Sequence, residues 1–265
     1  MKIGFIGLGN MAEAMIGGML SKGLVEPEDI IGSAKTSATI NKIKDKFNIT
    51  TVLDNAKVAE SVDILFLAVK PIFLDEVISE IKAVIRPETL IVSIAAGRNL
   101  NYLKGAFDRP ELKLVRCMPN TPALVLEGCT GVCAGEGVSE EECNRVVELL
   151  SSFGKAIVVP ERLMDVVVGV SGSSPAYVFM FIEAMADEAV AEGMPRKQAY
   201  EFAAQAVLGS AKLVLETGKH PGELKDMVCS PGGTTIQAVK VLEEKGMRAA
   251  VMDAMEACIE KSRNM

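Results

Sequence analysis

The sequence predicts an α/β fold in which a parallel sheet with helices on both faces is followed by an all-α domain. Short apolar runs alternate with helix-like or loop segments as far as Pro160, which is the pattern of a buried parallel sheet. Strand-like runs then stop, and long segments rich in Ala, Met, Val and Leu take over. A glycine-rich turn also follows the first apolar run. We therefore predict two domains, residues 1–160 and 161–265.

The predicted elements follow from these runs in chain order. The strands are expected in the segments KIGFIG, DIIGS, DILFLAV, TLIVSIA, KLVRCMP and KAIVVP. In the second domain a helical pattern over 161–192 is interrupted near the segment SGSSP, which holds Gly172 and Pro175. Further helices are expected over about 195–217, ending at Gly218, then from His220 to about Val228, from Gly233 to Gly246, and over about 247–262.

Composition and charge narrow the function. The 265 residues are 49% hydrophobic, carry a net charge of −7 and include no tryptophan, so neither nucleic acid nor an anionic membrane is an expected partner. The six cysteines form no C-x-x-C pair and there is one histidine, so we expect free thiols and no metal site. No signal peptide is apparent, and apolar stretches such as PAYVFMFI are too short to span a bilayer. We expect a soluble cytoplasmic protein.

The helix expected over about 195–217 is apolar on most sides. Its apolar residues are Phe202, Ala203, Ala204, Ala206, Val207, Leu208, Ala211, Leu213 and Val214. A single helical layer does not cover so much apolar surface. We favour burial in the interface of a homodimer, and an ordinary packed bundle is the alternative.

A dinucleotide-binding loop is predicted directly after the first strand. Gly7-Leu8-Gly9-Asn10-Met11-Ala12 matches G-x-G-x-x-A between an apolar strand and a helix. Gly7 permits the tight turn, Gly9 lets a pyrophosphate approach the backbone, and Ala12 lets the helix pack on the strand. The N–H groups at the start of the helix then face the phosphates. A plain strand–helix turn is the alternative.

The exit of the second strand favours NADPH over NADH. An acidic residue there would bind the ribose 2′-hydroxyl of NAD, and this chain instead has Ser33, Lys35 and Thr36. A lysine and hydroxyl groups suit a 2′-phosphate better. The alternative is a solvated Lys35 and the use of both cofactors. Lys70, in the segment FLAVKP, is expected at the same sheet edge, close to the cofactor phosphates, and a lysine that marks the exit of the strand to solvent is the alternative.

The chemistry is predicted from what the second domain offers. The chain has no lysine between Lys155 and Lys197, and its one histidine, His220, precedes a proline at a helix start. The chain therefore lacks a strong general acid or base for a hydroxyl substrate. A C=N substrate needs no strong acid or base, because an imine takes its proton from water and an aligned iminium accepts hydride readily. The segment SPGGTT, with Gly232, Gly233, Thr234 and Thr235, combines flexible backbone with a helix N-terminus. It predicts a cradle for a small carboxylate, and a tight turn with a threonine N-cap is the alternative.

These motifs resemble those of Δ1-pyrroline-5-carboxylate reductases nearly from end to end. The resemblance rests on GFIGLGNMA, LFLAVKP, VSIAAG, RCMPNTPA, GVSGSSPAYVF and HPGELKDMVCSPGGTTIQAVKVLE. It implies a Rossmann-type dinucleotide-binding domain, a helical dimerisation domain, and reduction of L-1-pyrroline-5-carboxylate to L-proline with NAD(P)H. It also implies interlocked homodimers, which often assemble into decamers, with the SPGGTT loop completing the active site near the dimer interface.

The resemblance also assigns residues. The expected cofactor residues are Ile6, Gly7, Leu8, Gly9, Asn10, Met11, Ser33, Lys35, Asn55, Ala68, Val69, Lys70, Pro71 and Ala96. Gly233, Thr234 and Thr235 would hold the substrate carboxylate, with Thr235 as catalytic donor to the imine nitrogen. Glu161 would approach both cofactor and substrate, where a solvated carboxylate is the alternative. The segment MPNTP (118–122) would lie near the nicotinamide.

Two positions depart from the family pattern, and two other functions stay open. Some members have an acidic residue where this chain has Lys35, and some have asparagine where it has Met227. The coenzyme preference of another member therefore does not carry over to this chain. A reductase for a six-membered cyclic imine and a dinucleotide sensor without turnover are the alternatives.

Overall fold

Eight strands form one sheet in the computed structural model, which describes residues 1–265. The strands are β1 (Ile3–Ile6), β2 (Ile30–Ser33), β3 (Thr50–Val52), β4 (Ile64–Leu67), β5 (Leu90–Ser93), β6 (Lys113–Met118), β7 (Gly128–Ala134) and β8 (Gly154–Val158). Their order in the sheet is β3-β2-β1-β4-β5-β6-β7-β8. Neighbouring strands are parallel except for β6 and β7, which are antiparallel. The order reverses direction at β1 and β4, which is where α/β sheets bind ligands.

Helices cover both faces of this sheet, and each face has its own apolar core. They are α1 (Asn10–Ser21), α2 (Ser37–Phe47), α3 (Asn55–Ala59), α4 (Leu74–Ile81), α5 (Leu100–Phe107), α6 (Glu140–Leu150) and α7 (Met164–Val167). One core includes Phe5 and Phe66, whose rings stack with centroids 4.9 Å apart. The other includes Leu65 and Leu67, which point to the opposite face of β4. The strands therefore read as continuous apolar runs because both of their faces are buried.

The sheet differs from the sequence-based expectation in two ways. The strands β3 and β7 were not predicted, because the segments TTV and GCTGVCA contain no continuous apolar run. The expectation of an all-parallel sheet is wrong at β6 and β7, which pair antiparallel from Val115–Ala134 to Met118–Gly131. The connection between them holds a short 3₁₀ segment, Thr121–Val125, and a direct connection of this kind joins antiparallel strands.

The chain divides into two compact units, Met1–Ser173 with Cys258–Met265, and Ser174–Ala257. This division falls later than the predicted boundary at residue 160. Residues 161–173 belong to the first unit because Glu161 and Asp165 lie beside the buried Arg116 of β6. Residues 258–265 belong to it too, and the hydroxyl of Ser262 donates to Asp165 at 2.8 Å.

The second unit contains only helices, as predicted. They are α8 (Ser174–Ala191), α9 (Arg196–Thr217), α10 (Pro221–Met227), α11 (Thr234–Glu244) and most of α12 (Met247–Arg263). The predicted C-cap at Gly218 is confirmed, with a left-handed φ of 64°. His220 is the N-cap of α10, where its Nδ1 accepts a hydrogen bond of 3.0 Å from the N–H of Gly222.

Large apolar side chains of this unit are exposed in the single chain. The most exposed include Met180 at 69%, Phe202 at 68%, Leu215 at 66% and Phe179 at 63%. The helical stretch Glu161–Ala191, which begins in the first unit, is 31 residues long and mostly apolar. By length and composition alone it could cross a membrane, so the expectation that every apolar stretch is too short is wrong. The apolar pattern continues on both sides of the eight-residue run on which that expectation rested.

Candidate active site

The predicted dinucleotide loop has the backbone that its glycines require. Gly7 has a φ of +96°, and a Cβ there would lie 2.7 Å from the carbonyl oxygen of Ala68. This position therefore accepts only glycine, and it brings the loop against the exit of β4. Gly9 is the N-cap of α1, has no side-chain cap, and a Cβ there would meet nothing within 4 Å. The start of α1 thus faces open space with N–H groups that have no partner within the helix.

The other predicted cofactor residues lie at the same edge of the sheet. Ile6 of β1 is in register with Ser33 of β2 and with Leu67 of β4. The N–H of Gly7 donates to the carbonyl of Ser33 at 3.0 Å, and that of Ala68 donates to Ile6 at 2.8 Å. Parallel strands place their carboxyl ends together. The structure therefore brings together the loop, the exit of β2 and the Ala68–Pro71 segment.

The exit of β2 is held by a chain of hydrogen bonds that ends on a carboxylate. The buried Ser33 donates through Oγ to Oδ1 of Asn55 at 2.7 Å. Asn55 in turn donates through Nδ2 to Oε2 of Glu80 on α4 at 2.6 Å. Sequence analysis missed Glu80, because the residue is distant in sequence and belongs to no motif. Its contact fixes the orientation of the Asn55 amide, which is one of the predicted cofactor residues.

Lys35 and Phe73 meet at the side of this site. The Lys35 Nζ lies 5.4 Å from the centroid of the Phe73 ring, a cation–π distance. Phe73 ends the 3₁₀ segment Pro71–Phe73 that follows Lys70, and it is 40% exposed. The ring therefore holds the Lys35 ammonium beside the exits of β2 and β4. Lys70 is exposed and precedes the same segment.

Helices α1 and α2 are joined by two ion pairs beside the loop. Lys42 and Lys46 of α2 each place Nζ 2.7 Å from a carboxylate oxygen of Glu13, in the first turn of α1. The hydrogen bond from Lys42, followed by that from Lys46, holds the pKa of Glu13 below its ordinary value. The negative charge of Glu13 near the phosphate side of α1 is thus balanced by two ammonium groups. Sequence analysis also missed these two ion pairs, because no local spacing of residues links the two helices.

Glu161 is part of a partly buried charge cluster in the first unit. Its Oε1 accepts from Arg116 Nη1 at 2.7 Å and from the N–H of Leu100 at 3.3 Å. Arg116 is 4% exposed and also lies 3.8 Å from Asp165. The second oxygen of Glu161, Oε2, is buried and has no hydrogen-bond partner. The carboxylate is therefore fixed by protein contacts through Oε1, and it lies close enough to the Cys133 thiol to raise the pKa of that thiol.

A cleft of about 590 Å³ opens beside this cluster. It is lined by the start of α5, by the end of β7 and by the segment Val158–Glu161. Cys133 also lines it, and burial raises the pKa of this thiol to about 12. The thiol therefore stays protonated at neutral pH. Ala96, the remaining predicted cofactor residue, lies in the turn after β5, next to Gly97 with its φ of +71°.

The SPGGTT loop forms an uncapped helix start in the second unit. Gly232 has a φ of +70°, and the N–H of Gly233 donates to the carbonyl of Ser230 at 3.0 Å. Gly233 is the N-cap of α11 without a side-chain hydrogen bond, so the alternative of a threonine N-cap is wrong. Thr234 and Thr235 are the first two residues of α11 and are exposed. Their N–H groups and hydroxyls are free to bind a small anion.

Comparison with known proteins identifies relatives over the whole chain. The family model described as pyrroline-5-carboxylate reductase dimerisation matches residues 161–265. The one described as NADP oxidoreductase coenzyme F420-dependent matches residues 2–97. Pyrroline-5-carboxylate reductase of Escherichia coli is 54% identical over 264 residues, covering 100% of this chain and 98% of that protein. Its Methanosarcina acetivorans counterpart is 47% identical, covering 100% and 97%.

Solved structures agree with these sequence relatives. A pyrroline-5-carboxylate reductase from Coxiella burnetii superimposes with a TM-score of 0.93 at 33% identity, covering 99% of this chain and 97% of that one. The Plasmodium falciparum pyrroline carboxylate reductase, whose structure has NADP bound, superimposes with a TM-score of 0.88 at 32% identity, with the same coverage. The predicted arrangement of a Rossmann-type domain followed by a helical dimerisation domain is thereby confirmed.

Proposed function

Because the chain belongs to the pyrroline-5-carboxylate reductase family, we propose that it reduces L-1-pyrroline-5-carboxylate to L-proline, the last step of proline biosynthesis. The observation that carries the proposal is the 54% identity over essentially the whole chain to a relative named for this activity. Family membership also makes the chain an oxidoreductase that uses a nicotinamide dinucleotide.

The first unit fits such a cofactor. The space in front of Gly9 admits a pyrophosphate, and the start of α1 offers N–H donors to it. We place the cofactor against Ile6–Met11, Ser33, Asn55, Ala68–Pro71 and Ala96, which lie at or just after the carboxyl ends of β1, β2, β3, β4 and β5. When bound, it supplies the hydride that adds to the imine carbon.

NADPH is the proposed cofactor, with NADH as the weaker one. No carboxylate follows β2 directly, and Lys35 is held at this exit by the ring of Phe73. An ammonium group there favours the 2′-phosphate of NADPH. Glu80 lies behind Asn55, to which its carboxylate is already bonded, so it is engaged in holding that amide.

The second unit supplies the groups that fit the substrate. The N–H groups of Thr234 and Thr235 at the start of α11, with Gly233 before them, would bind the carboxylate. The hydroxyl of Thr235 would donate to the ring nitrogen. The ring nitrogen takes its proton from water before the transfer, and as the new C–H bond forms the π electrons of the C=N bond become its lone pair, which accepts from the Thr235 hydroxyl. The protein's contribution is therefore alignment.

Glu161 is proposed to approach the cofactor and substrate through Oε2. Arg116 and the N–H of Leu100 hold Oε1, so the direction of Oε2 is fixed. A buried acceptor without a partner costs about 1–3 kcal/mol, and a ligand hydroxyl or iminium N–H would remove this cost. Arg116 then acts as the residue that positions Glu161.

We propose a homodimer formed through the helical unit, with assembly to a decamer as the further step. The exposed apolar side chains of α8 and α9, among them Phe179, Met180 and Phe202, need a cover. The dimerisation family that matches residues 161–265 supports a second copy as that cover. A second copy of the chain would also cover the apolar stretch 161–191, which then needs no membrane around it. A cytoplasmic location, and no membrane or nucleic-acid partner, remain predictions from composition.

The test is loss of reduced nicotinamide absorbance with racemic pyrroline-5-carboxylate, using NADPH and NADH in parallel. We expect turnover with both cofactors and a larger kcat/KM with NADPH. Folded protein that binds NADPH without turning over this substrate would refute the proposal. A six-membered cyclic imine would then be assayed next, and failure with both imines would favour the sensor. Native mass spectrometry of the same sample would distinguish a dimer from a decamer.

A further inference from the structure

The helix that begins at Met164 widens into a π-helical turn at Val168–Gly172, directly after α7. The N–H of Ser173 closes this turn by donating to the carbonyl of Val168 at 2.8 Å. In an α-helix the carbonyl of Ser171 would accept from the N–H of residue 175, and residue 175 is proline. The Ser171 carbonyl therefore lacks its α-helical donor, and a side chain from elsewhere in the chain donates to it.

Asn120 supplies that donor. Its Nδ2 donates to the carbonyl of Ser171 at 2.9 Å, and its Oδ1 accepts from the N–H of Cys129 on β7 at 2.8 Å. The side chain is buried, with 8% of the residue exposed. Because the Cys129 N–H can only donate and the Ser171 carbonyl can only accept, the two contacts together fix the orientation of the amide.

The loop and the turn also touch directly. A Cβ on Gly172 would lie 2.9 Å from Cε of Met118, which ends β6, and one on Gly131 would lie 2.9 Å from Cγ1 of Val167. A side chain at Gly131 would clash with the stiff Val167, and one at Gly172 would displace the end of the Met118 side chain. The segment MPNTP (118–122) and the turn 168–172 therefore form one packed assembly, in which the Asn120 amide donates the hydrogen bond to the turn.

This assembly stands at the nicotinamide end of the proposed crevice. Strand β6 is the neighbour of β5, and the turn after β5 contains Ala96. Met118–Pro122 therefore follows the next strand along the edge that holds the dinucleotide loop. The assembly thus forms a wall of the crevice beside the nicotinamide. A shift of 1 Å in this wall is enough to lower the rate of a reaction that depends on alignment.

We propose that Asn120 is a positioning residue for hydride transfer, which ties the MPNTP segment to the π-helical turn and so fixes the wall beside the nicotinamide. The inference rests on the proposed function, because the wall matters only if a dinucleotide reacts there. It assigns no contact between Asn120 and the substrate. It predicts an effect on kcat that is separate from cofactor binding, since the dinucleotide loop lies on other strands.

The test is the substitution Asn120→Asp, which keeps the acceptor for Cys129 and replaces the donor to Ser171 with an oxygen. We expect kcat to fall at least tenfold, while the Kd of NADPH changes less than threefold. Hydrogen exchange of amides 168–173 should speed up at least tenfold in the protein without substrate. Thr130→Val is the matched control, since the Thr130 hydroxyl is buried on β7, next to Cys129, and has no hydrogen-bond partner. It should leave kcat and exchange unchanged.

Two results would overturn the inference: a kcat within threefold of the unsubstituted protein, or a lower kcat without faster exchange in 168–173. If Asn120→Asp does not fold, Asn120→Ser provides the same readouts without introducing a charge. The exchange experiment needs no turnover. An unsubstituted protein inactive on pyrroline-5-carboxylate would therefore refute the proposed function, while the tether between Asn120 and Ser171 would still be measured.

Discussion

Gly9→Ala separates the fold of the dinucleotide loop from its function. The backbone at Gly9 has φ −80° and ψ −175°, which alanine adopts without strain, and an added Cβ meets nothing within 4 Å. Alanine restricts the unfolded chain and thereby adds about 0.4–1 kcal/mol of stability. Alanine is also a poorer N-cap than glycine, which removes about 0.5–1 kcal/mol. The two effects offset, so the free energy of unfolding should change by less than about 0.5 kcal/mol.

Binding of the dinucleotide responds very differently. The added methyl group stands in the open space through which a pyrophosphate would reach the N–H groups of α1. Each hydrogen bond to a charged group contributes about 1.5–3 kcal/mol. The loss of one such bond raises the Kd about 10- to 100-fold. The substitution should therefore abolish most of the binding in a protein that is as stable as before.

Two measurements on the same samples test this pair of effects, namely NADPH titration by fluorescence and urea unfolding. Gly105→Ala is the matched control, because Gly105 is exposed within α5 and a Cβ there also meets nothing within 4 Å. It should raise stability by about 0.5–1 kcal/mol and leave the Kd unchanged. If Gly9→Ala binds NADPH within threefold of the unsubstituted protein, the cofactor does not approach the backbone at Gly9 and the assignment of this loop fails.

Three further substitutions address the remaining groups. Thr235→Ala should lower kcat/KM about 10- to 100-fold, as for one lost transition-state hydrogen bond, while Thr217→Ala in α9 should leave it unchanged; equal kinetics for both would remove Thr235 from the mechanism. Lys35→Met should raise the KM for NADPH about fivefold, the equivalent of about 1 kcal/mol, and leave the KM for NADH unchanged. The control Lys44→Met should change neither KM. Glu13→Gln should cost about 1 kcal/mol of unfolding free energy at pH 7. The folded-state pKa of Glu13 is lowered, so this contribution exists above the unfolded pKa of about 4.3 and disappears as the pH falls further. Urea unfolding tests this prediction. If the ion pairs contribute nothing, the difference in unfolding free energy between Glu13→Gln and the unsubstituted protein will be the same at pH 7 and at pH 3.

Local sequence patterns predicted most of the fold because its elements have local causes. The strands β1, β4 and β5 are apolar runs buried on both faces, and α9 ends at Gly218 where a left-handed residue is needed. The strand β7 was not predicted, because its segment GCTGVCA gains strand structure only by pairing with β6 and β8. The antiparallel direction of β7 was missed for the same reason. Pairing is a tertiary property that no window of sequence contains.

The sequence motifs predicted those parts of the candidate site that depend on backbone conformation. Gly7 and Gly9 have the conformations that the motif requires, and the SPGGTT loop ends at the start of a helix. The side chains that hold these groups in place were not found. Glu80 contacts Asn55 across 25 residues of sequence, and Glu13 contacts Lys42 across 29. Such partners depend on how helices pack beside the sheet, and a single sequence carries no periodicity that reveals them.

The ionisable groups of this chain are used mainly to hold structure. His220 caps α10 through Nδ1, Glu161 accepts from Arg116, and burial keeps Cys133 a thiol. The hydroxyl of Thr235 and the helix N–H groups beside it are, by contrast, exposed and uncapped. A reaction in which an aligned iminium takes a hydride needs this second kind of group, because the acceleration comes from orientation. It follows that changes of backbone or amide geometry, at Gly9 or Asn120, should lower kcat/KM more than the loss of an exposed charge such as that of Lys35 does.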